Sequence, residues 1–345
     1  MSSQVSSAAA TEHGRGVVPC QLLDCEHDAH FRTGYVYCLE HDHVDVPPAI
    51  ADPKPTGIAT DSFRFFFGAS CGSSRKTLRQ LEEPNVLLSY ATKNNQPWDS
   101  IETLMVDSGG YSLLSSGETS YPDDIDDYLD YVEAVDADYF MTRDVPAADP
   151  VLENLERGAG EAIARTVELT TDTLEAARAR GIDAQPVAVL QGTTPREYVQ
   201  CYHELIAADA VTQRLAIGSV KGHTTAEVVS IVRRVHEQIR SDDAGIELHG
   251  LGVELPALEH EAVRTALSSA DSSRYISTAR HRANRDELPP RLRDDEPRTG
   301  WYEVLRAYLE MREDLRDALH VSVDDTAAEQ QTMAEFATDG GWTRE

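Results

Sequence analysis

The sequence predicts an α/β protein, a (β/α)8 TIM barrel with a small N-terminal Cys/His zinc module in front of it. Three observations carry this expectation. Eight short apolar runs follow one another between residues 63 and 276. Amphipathic stretches of helical period stand between most of them. The alternation extends over about 220 residues, close to the roughly 250 typical of such a barrel. A doubly wound sheet competes on the same alternation.

Taken in order, residues 1–16 are small and polar, and are expected to be disordered. Residues 17–45 are rich in Cys and His. Cys20, Cys25, Cys38 and His41 have finger-like spacing, and thiolates with imidazole suit tetrahedral zinc. His27, His30 and His43 are alternative fourth ligands. Such a zinc lies outside the barrel, so a structural role is expected; nothing points to an organic cofactor. Residues 46–60 form a proline-rich linker without helix.

The barrel is expected over 61–320. Its strand signals are 63–67, 86–88, 103–106, 137–141, 186–190, 215–217, 248–253 and, more weakly, 270–276. Its helical stretches are 75–83, 122–135, 152–181, 195–208, 224–241 and 256–268. Pro122, Pro195 and Pro256 stand near helix starts, where a missing N–H costs nothing. A further amphipathic helix is expected at 301–319, and residues 321–345 form an acidic tail.

Sixty acidic residues against 31 basic give a formal charge of −29, and Lys occurs at only four positions. Such a surface suits high salt, where a Debye length of about 3 Å suppresses self-repulsion. Acidity argues against broad nucleic-acid affinity while leaving room for local basic patches. No window holds eighteen uninterrupted apolar residues, which excludes a membrane-spanning helix. The N-terminus lacks the basic and apolar segments of a signal peptide, so a cytoplasmic location is expected.

In a barrel of this kind, the residues just after each strand build the site. Those positions hold Asp107-Ser108-Gly109-Gly110, Thr142-Arg143-Asp144, Gln191-Gly192, Gly218-Ser219, Gly250-Leu251-Gly252 and Asp271-Ser272-Ser273-Arg274. Carboxylates and a carboxamide can read the amine and amide edge of a purine, and exposed glycine N–H groups can donate to its carbonyl. Two separated carboxylates also suit glycosidic chemistry, one as nucleophile and one as proton carrier. Each motif alone is also an ordinary turn or helix cap.

Together the segments resemble the tRNA-guanine transglycosylase superfamily, a TIM-barrel family that exchanges guanine for a 7-deazaguanine. Asp107-Ser108-Gly109-Gly110-Tyr111 resembles its Asp-Ser-Gly-Gly-Phe motif, whose Asp is the general acid/base. Val189-Leu190-Gln191-Gly192 is similar to its Val-Gln-Gly motif, in which Gln touches the base. Ala216-Ile217-Gly218-Ser219 resembles a turn that gives a backbone donor to the base carbonyl, and Asp144 falls where the family places a base-reading Asp. Gly252 precedes Asp271 by nineteen residues, which fits the family's spacing from its Gly-Val-Gly turn to its nucleophilic Asp.

The resemblance covers roughly 63–280 and implies Asp271 as nucleophile and Asp107 as general acid/base. It also implies a base pocket drawn from Ser108, Gly109, Gly110, Asp144, Gln191, Gly192, Gly218, Ser219 and Gly250. Members are often homodimers; no dimer signature is visible here. Arg274 and Arg280 open the one arginine-dense stretch, so phosphate binding is expected of them, although acidic residues interleave with that stretch.

Three departures point from tRNA toward the branch that inserts 7-deazaguanines into DNA. No Cys follows Cys201, where bacterial tRNA enzymes carry a zinc site. The long C-terminal extension of archaeal tRNA enzymes is lacking. Ala270-Asp271-Ser272-Ser273-Arg274-Tyr275 differs from the tRNA enzymes' Phe-Asp-Cys-Val-Leu-Pro-Thr-Arg. The expected partner is therefore DNA, with tRNA as the alternative and no membrane. A catalytically silent barrel that binds DNA or a partner protein through its zinc module is the rival from another class.

Overall fold

A computed structural model describes residues 63–94, 98, 101–283 and 296–320, together with the backbone of short strands near the N-terminus. Those strands are β1 (Val18–Pro19), β2 (Asp28–Arg32) and β3 (Tyr35–Tyr37), an antiparallel three-stranded sheet, and β4 (Ile58–Ala59). Cys20, Cys25, Cys38, His41, His27 and His43 lie outside the described residues, and His30 contributes only its backbone to β2. Residues 1–16 and 321–345 lie outside them too.

Eight parallel strands close into a barrel: β5 (Arg64–Ala69), β6 (Asn85–Ser89), β7 (Thr103–Asp107), β8 (Tyr139–Met141), β9 (Gln185–Leu190), β10 (Arg214–Ile217), β11 (Glu247–Gly250) and β12 (Ser269–Ser272). They pair in chain order, and closure comes from β12 on β5, with Asp271 opposite Phe66 and Ser272 opposite Phe67. The barrel thus replaces the competing doubly wound sheet.

The two-residue period of the strands sorts their side chains. Phe66, Leu87, Met105, Met141, Val187, Val189 and Ala216 fill the barrel interior as one apolar cluster. Phe65 and Phe67 point the other way, pack edge-to-face at 5.1 Å between ring centroids, and join the larger core beneath the helices. Burying one such aromatic is worth about 1.5–3 kcal/mol.

The helices are α1 (Gly72–Gln80), α2 (Gly110–Leu114), α3 (Ile125–Ala134), α4 (Asp149–Leu155), α5 (Ala159–Arg180), α6 (Pro195–Ala207), α7 (Thr225–Ser241), α8 (Leu255–Leu258), α9 (Glu261–Arg264), α10 (Arg274–Ala283) and α11 (Glu296–His320). Thr194 caps α6 and Thr224 caps α7, each in a reciprocal box with a Glu three residues on.

Two expectations need correction. The helix expected at 152–181 is two helices, because Glu156 turns left-handed at φ 51° and ends α4 before Gly158 caps α5. The stretch 256–268 is two single turns separated at His260, whose backbone is extended. At the end of the linker, Ile58 and Ala59 pair antiparallel with Phe65 and Arg64.

Helix α11 covers the barrel wall beside α10 and α1. Its Tyr308 packs on Phe67 at 4.7 Å and donates to Glu83 Oε2 at 2.5 Å. Burial pushes the Glu83 carboxyl up to about 7, against the pull of that hydrogen bond and of the Arg312 charge. No helix among the described residues is long and apolar enough to cross a membrane.

Candidate active site

A cavity of about 340 Å³ opens at the C-terminal end of the barrel, a size that suits a small planar ligand. Asp107, Asp144, Gln191, Gly218, Ser219, Asp271 and Arg280 all line it, though the sequence scatters them over more than 170 residues. The physical reason is the parallel sheet, which brings every strand's C-terminal end to one face.

Asp107 ends β7 and looks into the cavity. Burial pushes its carboxyl up to about 7, and the nearby Asp144 and Asp271 charges push the same way; the Gly109 backbone and the Ser89 hydroxyl oppose them. Gly109 is left-handed at φ 79°, and a Cβ there would stand 2.6 Å from the Ala91 nitrogen. A Cβ on Gly110 would meet the Tyr121 hydroxyl at 2.5 Å. These two glycines therefore let the loop turn and pack, and neither lines the cavity.

Asp144 is held from several sides. Its Oδ1 accepts from Ser108 Oγ at 3.0 Å and its Oδ2 from Gln191 Nε2 at 2.6 Å. The Tyr121 hydroxyl donates to the Asp144 carbonyl at 3.0 Å. Burial raises its carboxyl to about 6, with the bonds from Ser108 and Gln191, and a longer 3.4 Å contact from the Tyr121 hydroxyl to Oδ1, pulling it back. Ser108 thus touches the site through Asp144 and is not itself on the cavity wall.

The Gln191 amide has a fixed orientation. Its Oε1 accepts from the Ala147 N–H at 3.1 Å and from Ser219 Oγ at 2.6 Å, so Nε2 faces Asp144. Gly218 makes room for it, since a Cβ there would stand 2.5 Å from Nε2. Gly218→Ala is expected to break the Gln191–Asp144 contact and to cost about 1–3 kcal/mol through overpacking. Denaturant unfolding checks this, and an unchanged midpoint would contradict it.

The Gly218 N–H is already spent on the Leu190 carbonyl at 3.0 Å. A ligand carbonyl would have to take its backbone donor from the next amide, at Ser219, which is left-handed at φ 55°. Gly192 packs under α6, where a Cβ would lie 2.8 Å from the Tyr198 nitrogen, and Gly250 packs against Val253 and Leu267. Neither lines the cavity; in the last turn Gly252 does.

Asp271 sits on β12 and is 7% exposed. Its Oδ1 accepts from the Gly252 N–H at 2.9 Å and meets His249 Nε2 at 3.3 Å. A carboxylate can only accept, so Nε2 carries a hydrogen; Nδ1 lies 2.9 Å from Ser269 Oγ. Oδ2 is left for the cavity.

His249 escaped the sequence reading. The signal that could have found it is register: His249 pairs with Ser269, and Ser269 and Asp271 share one face by the two-residue period. Tyr121 and Lys221 were missed as well, because each stands in a loop with no motif around it; Lys221 lines the cavity with its ammonium 5.5 Å from the Tyr111 ring.

The two arginines expected to bind phosphate part company. Arg280 lines the cavity, whereas Arg274 lies outside it and pairs with Glu254 at 3.4 Å. No group of His, Cys, Asp and Glu among the described residues has the arrangement of a metal site. No protein-family model matches the chain, and no curated protein matches it.

Proposed function

We propose that the chain is a base-exchange glycosyltransferase that replaces guanine in DNA with a 7-deazaguanine through a covalent aspartyl–sugar intermediate. The observation that carries this reading is the pair Asp107 and Asp271 on one cavity, with the oriented Asp144–Gln191 pair beside them. The chain's motif order supports the base-exchange chemistry. The departure of Ala270–Tyr275 from the tRNA enzymes' sequence supports DNA over tRNA.

The target nucleotide leaves the stack, which costs a few kcal/mol, and its base enters the cavity. Asp271 Oδ2 attacks the anomeric carbon while the bond from that carbon to the base nitrogen breaks. Asp107, protonated through burial, gives its proton to the departing guanine. The incoming base then loses a proton to Asp107 and attacks the same carbon, and the Asp271 carboxylate leaves. Two inversions retain the anomeric configuration. Asp144 and the Gln191 amide are placed to hold the base edge, with Ser219 setting the amide's orientation.

His249 and Gly252 hold Oδ1 of Asp271, which steadies the nucleophile and eases its departure. His249→Leu is therefore expected to slow turnover about tenfold and to raise the fraction of enzyme trapped as the covalent intermediate. His249→Gln, which keeps a donor at the position of Nε2, should largely restore both. Quenched-flow measurement of the intermediate checks this; a slower rate with no rise in the trapped fraction would contradict it.

The function itself is tested by incubating the protein, in high salt, with labelled guanine or a labelled 7-deazaguanine and either duplex DNA or bulk tRNA. Label in DNA is the expected result. Label in tRNA would keep the mechanism and overturn the substrate. Binding with no label from either base would favour a silent barrel.

A further inference from the structure

A second cavity, of about 430 Å³, lies beside the first between the loop after α2 and the start of α5. Arg143, Arg157 and Arg165 line it, together with Ser120 and Tyr121, and no carboxylate among the described residues does. In a chain of net charge −29, three guanidinium groups converging without an acidic lining residue is a local reversal of sign.

Arg143 is the anchor. It is 6% exposed, and its Nη2 donates to the Asp124 carbonyl at 2.5 Å. The guanidinium lies 4.7 Å from the Tyr121 ring centroid and 5.7 Å from that of Tyr128, while its Nε has no hydrogen-bond partner. The acidic side chain that feels this charge, Asp123, is held by Lys93 at 2.6 Å. Burying an arginine with no carboxylate opposite is costly, and ring faces offset only part of that cost.

The other two guanidinium groups are available. Among the described residues Arg165 pairs with Glu168 alone, on the exposed face of the same helix, a contact of little worth. Arg157 makes no ion pair among the described residues.

The groove and the first cavity share a wall. Tyr121 lines the groove, yet its hydroxyl binds the Asp144 backbone, and Arg143 immediately precedes Asp144. We propose that the groove is a phosphate-binding site, and that its occupant is a backbone phosphodiester of the strand whose base enters the first cavity. The strand assignment rests on the proposed function; the phosphate site does not. Guanidinium forks suit phosphate oxygens in paired hydrogen bonds, and Ser120 adds a hydroxyl donor. A flipped nucleotide stays tethered through its flanking phosphates, so a cation beside the base cavity would fix the strand's position.

The test is calorimetric titration with inorganic phosphate, at constant ionic strength in potassium chloride. It compares the full chain with the exposed double variant Arg157→Ala/Arg165→Ala and with Asp271→Asn. Phosphate affinity should fall at least tenfold in the double variant and stay unchanged in Asp271→Asn. A single-stranded DNA oligonucleotide should lose affinity about tenfold in the same double variant, while exchange at saturating oligonucleotide survives. Equal phosphate affinity in wild type and double variant, or no phosphate binding to either, would overturn the site. Loss of phosphate binding with oligonucleotide affinity intact would overturn the strand and leave a free phosphorylated ligand. Phosphate binding that depends on these arginines, in a protein that exchanges no base, would sink the proposed function and leave the groove standing.

Discussion

Asp271→Asn should abolish the covalent intermediate and reduce base exchange by a factor on the order of 10⁴ or more. Asparagine keeps the volume and can still accept at Oδ1 from the Gly252 N–H, so the fold should survive the change. What is lost is the anionic oxygen that Oδ2 presents to the cavity. Single-turnover exchange of labelled base checks the rate, and circular dichroism checks that the variant is folded. Turnover within tenfold of wild type would remove Asp271 from the role of nucleophile.

Asp107→Asn should reduce exchange by about 10²–10⁴, the usual worth of a general acid/base. Its second signature is opposite in sign. Burial and the charges of Asp144 and Asp271 raise the Asp107 carboxyl to about 7 in the fold, from the ordinary aspartate range when unfolded. Such a group costs nothing while protonated in both states. Its cost grows as pH rises above the unfolded value and is complete once pH has passed the folded value near 7. Asp107→Asn should therefore raise the melting temperature at pH 8 and leave it nearly unchanged at pH 4. In the wild type, the proton-donating half of the exchange should fade as pH rises through about 7. A variant that loses activity without gaining stability at pH 8 would contradict the assigned cause of the shift.

Both effects would arise from one arrangement, in which three carboxylates share a partly enclosed cavity at a cost to the fold. Like charges held close in low dielectric keep a carboxyl protonated near neutral pH. The interior beneath them is apolar, filled by Phe66, Met105, Met141 and their neighbours, so the medium on that side is of low dielectric.

Much of this was legible in the chain. The strands gave clear signals because both faces of a parallel barrel strand are buried, so runs such as 65–67 and 186–190 are apolar throughout. That strand-end residues would line one cavity was legible because topology, and not local chemistry, sends them to one face. Boundaries inside apparent helices were harder. The apolar period of 152–181 continues across the break, and only the left-handed Glu156 with Gly158 ends α4, a backbone choice that a glutamate does not advertise.

Of the glycines named from the motifs, Gly218 lines the cavity, Gly109, Gly110, Gly192 and Gly250 pack away from it, and Gly252 lines it instead. Gly250 and Gly252 are two residues apart in one turn, and which of them faces the cavity depends on how Val253 and Leu267 pack. His249 was hidden because a histidine in a buried strand looks like any polar interruption until register pairs it with Ser269 and Asp271. The arginine groove was hidden for a similar reason: Arg143, Arg157 and Arg165 form no cluster by sequence spacing, and the break between α4 and α5 brings them together.

The most direct test of the account is to trap the intermediate and map it. The protein is incubated with a guanine-containing DNA oligonucleotide without added base, denatured, digested, and read by mass spectrometry. The expected result is an adduct equal to the oligonucleotide less guanine, attached at Asp271 and discharged when a free 7-deazaguanine is supplied before denaturation. An adduct on any other residue, or base exchange with no adduct at all, would contradict it.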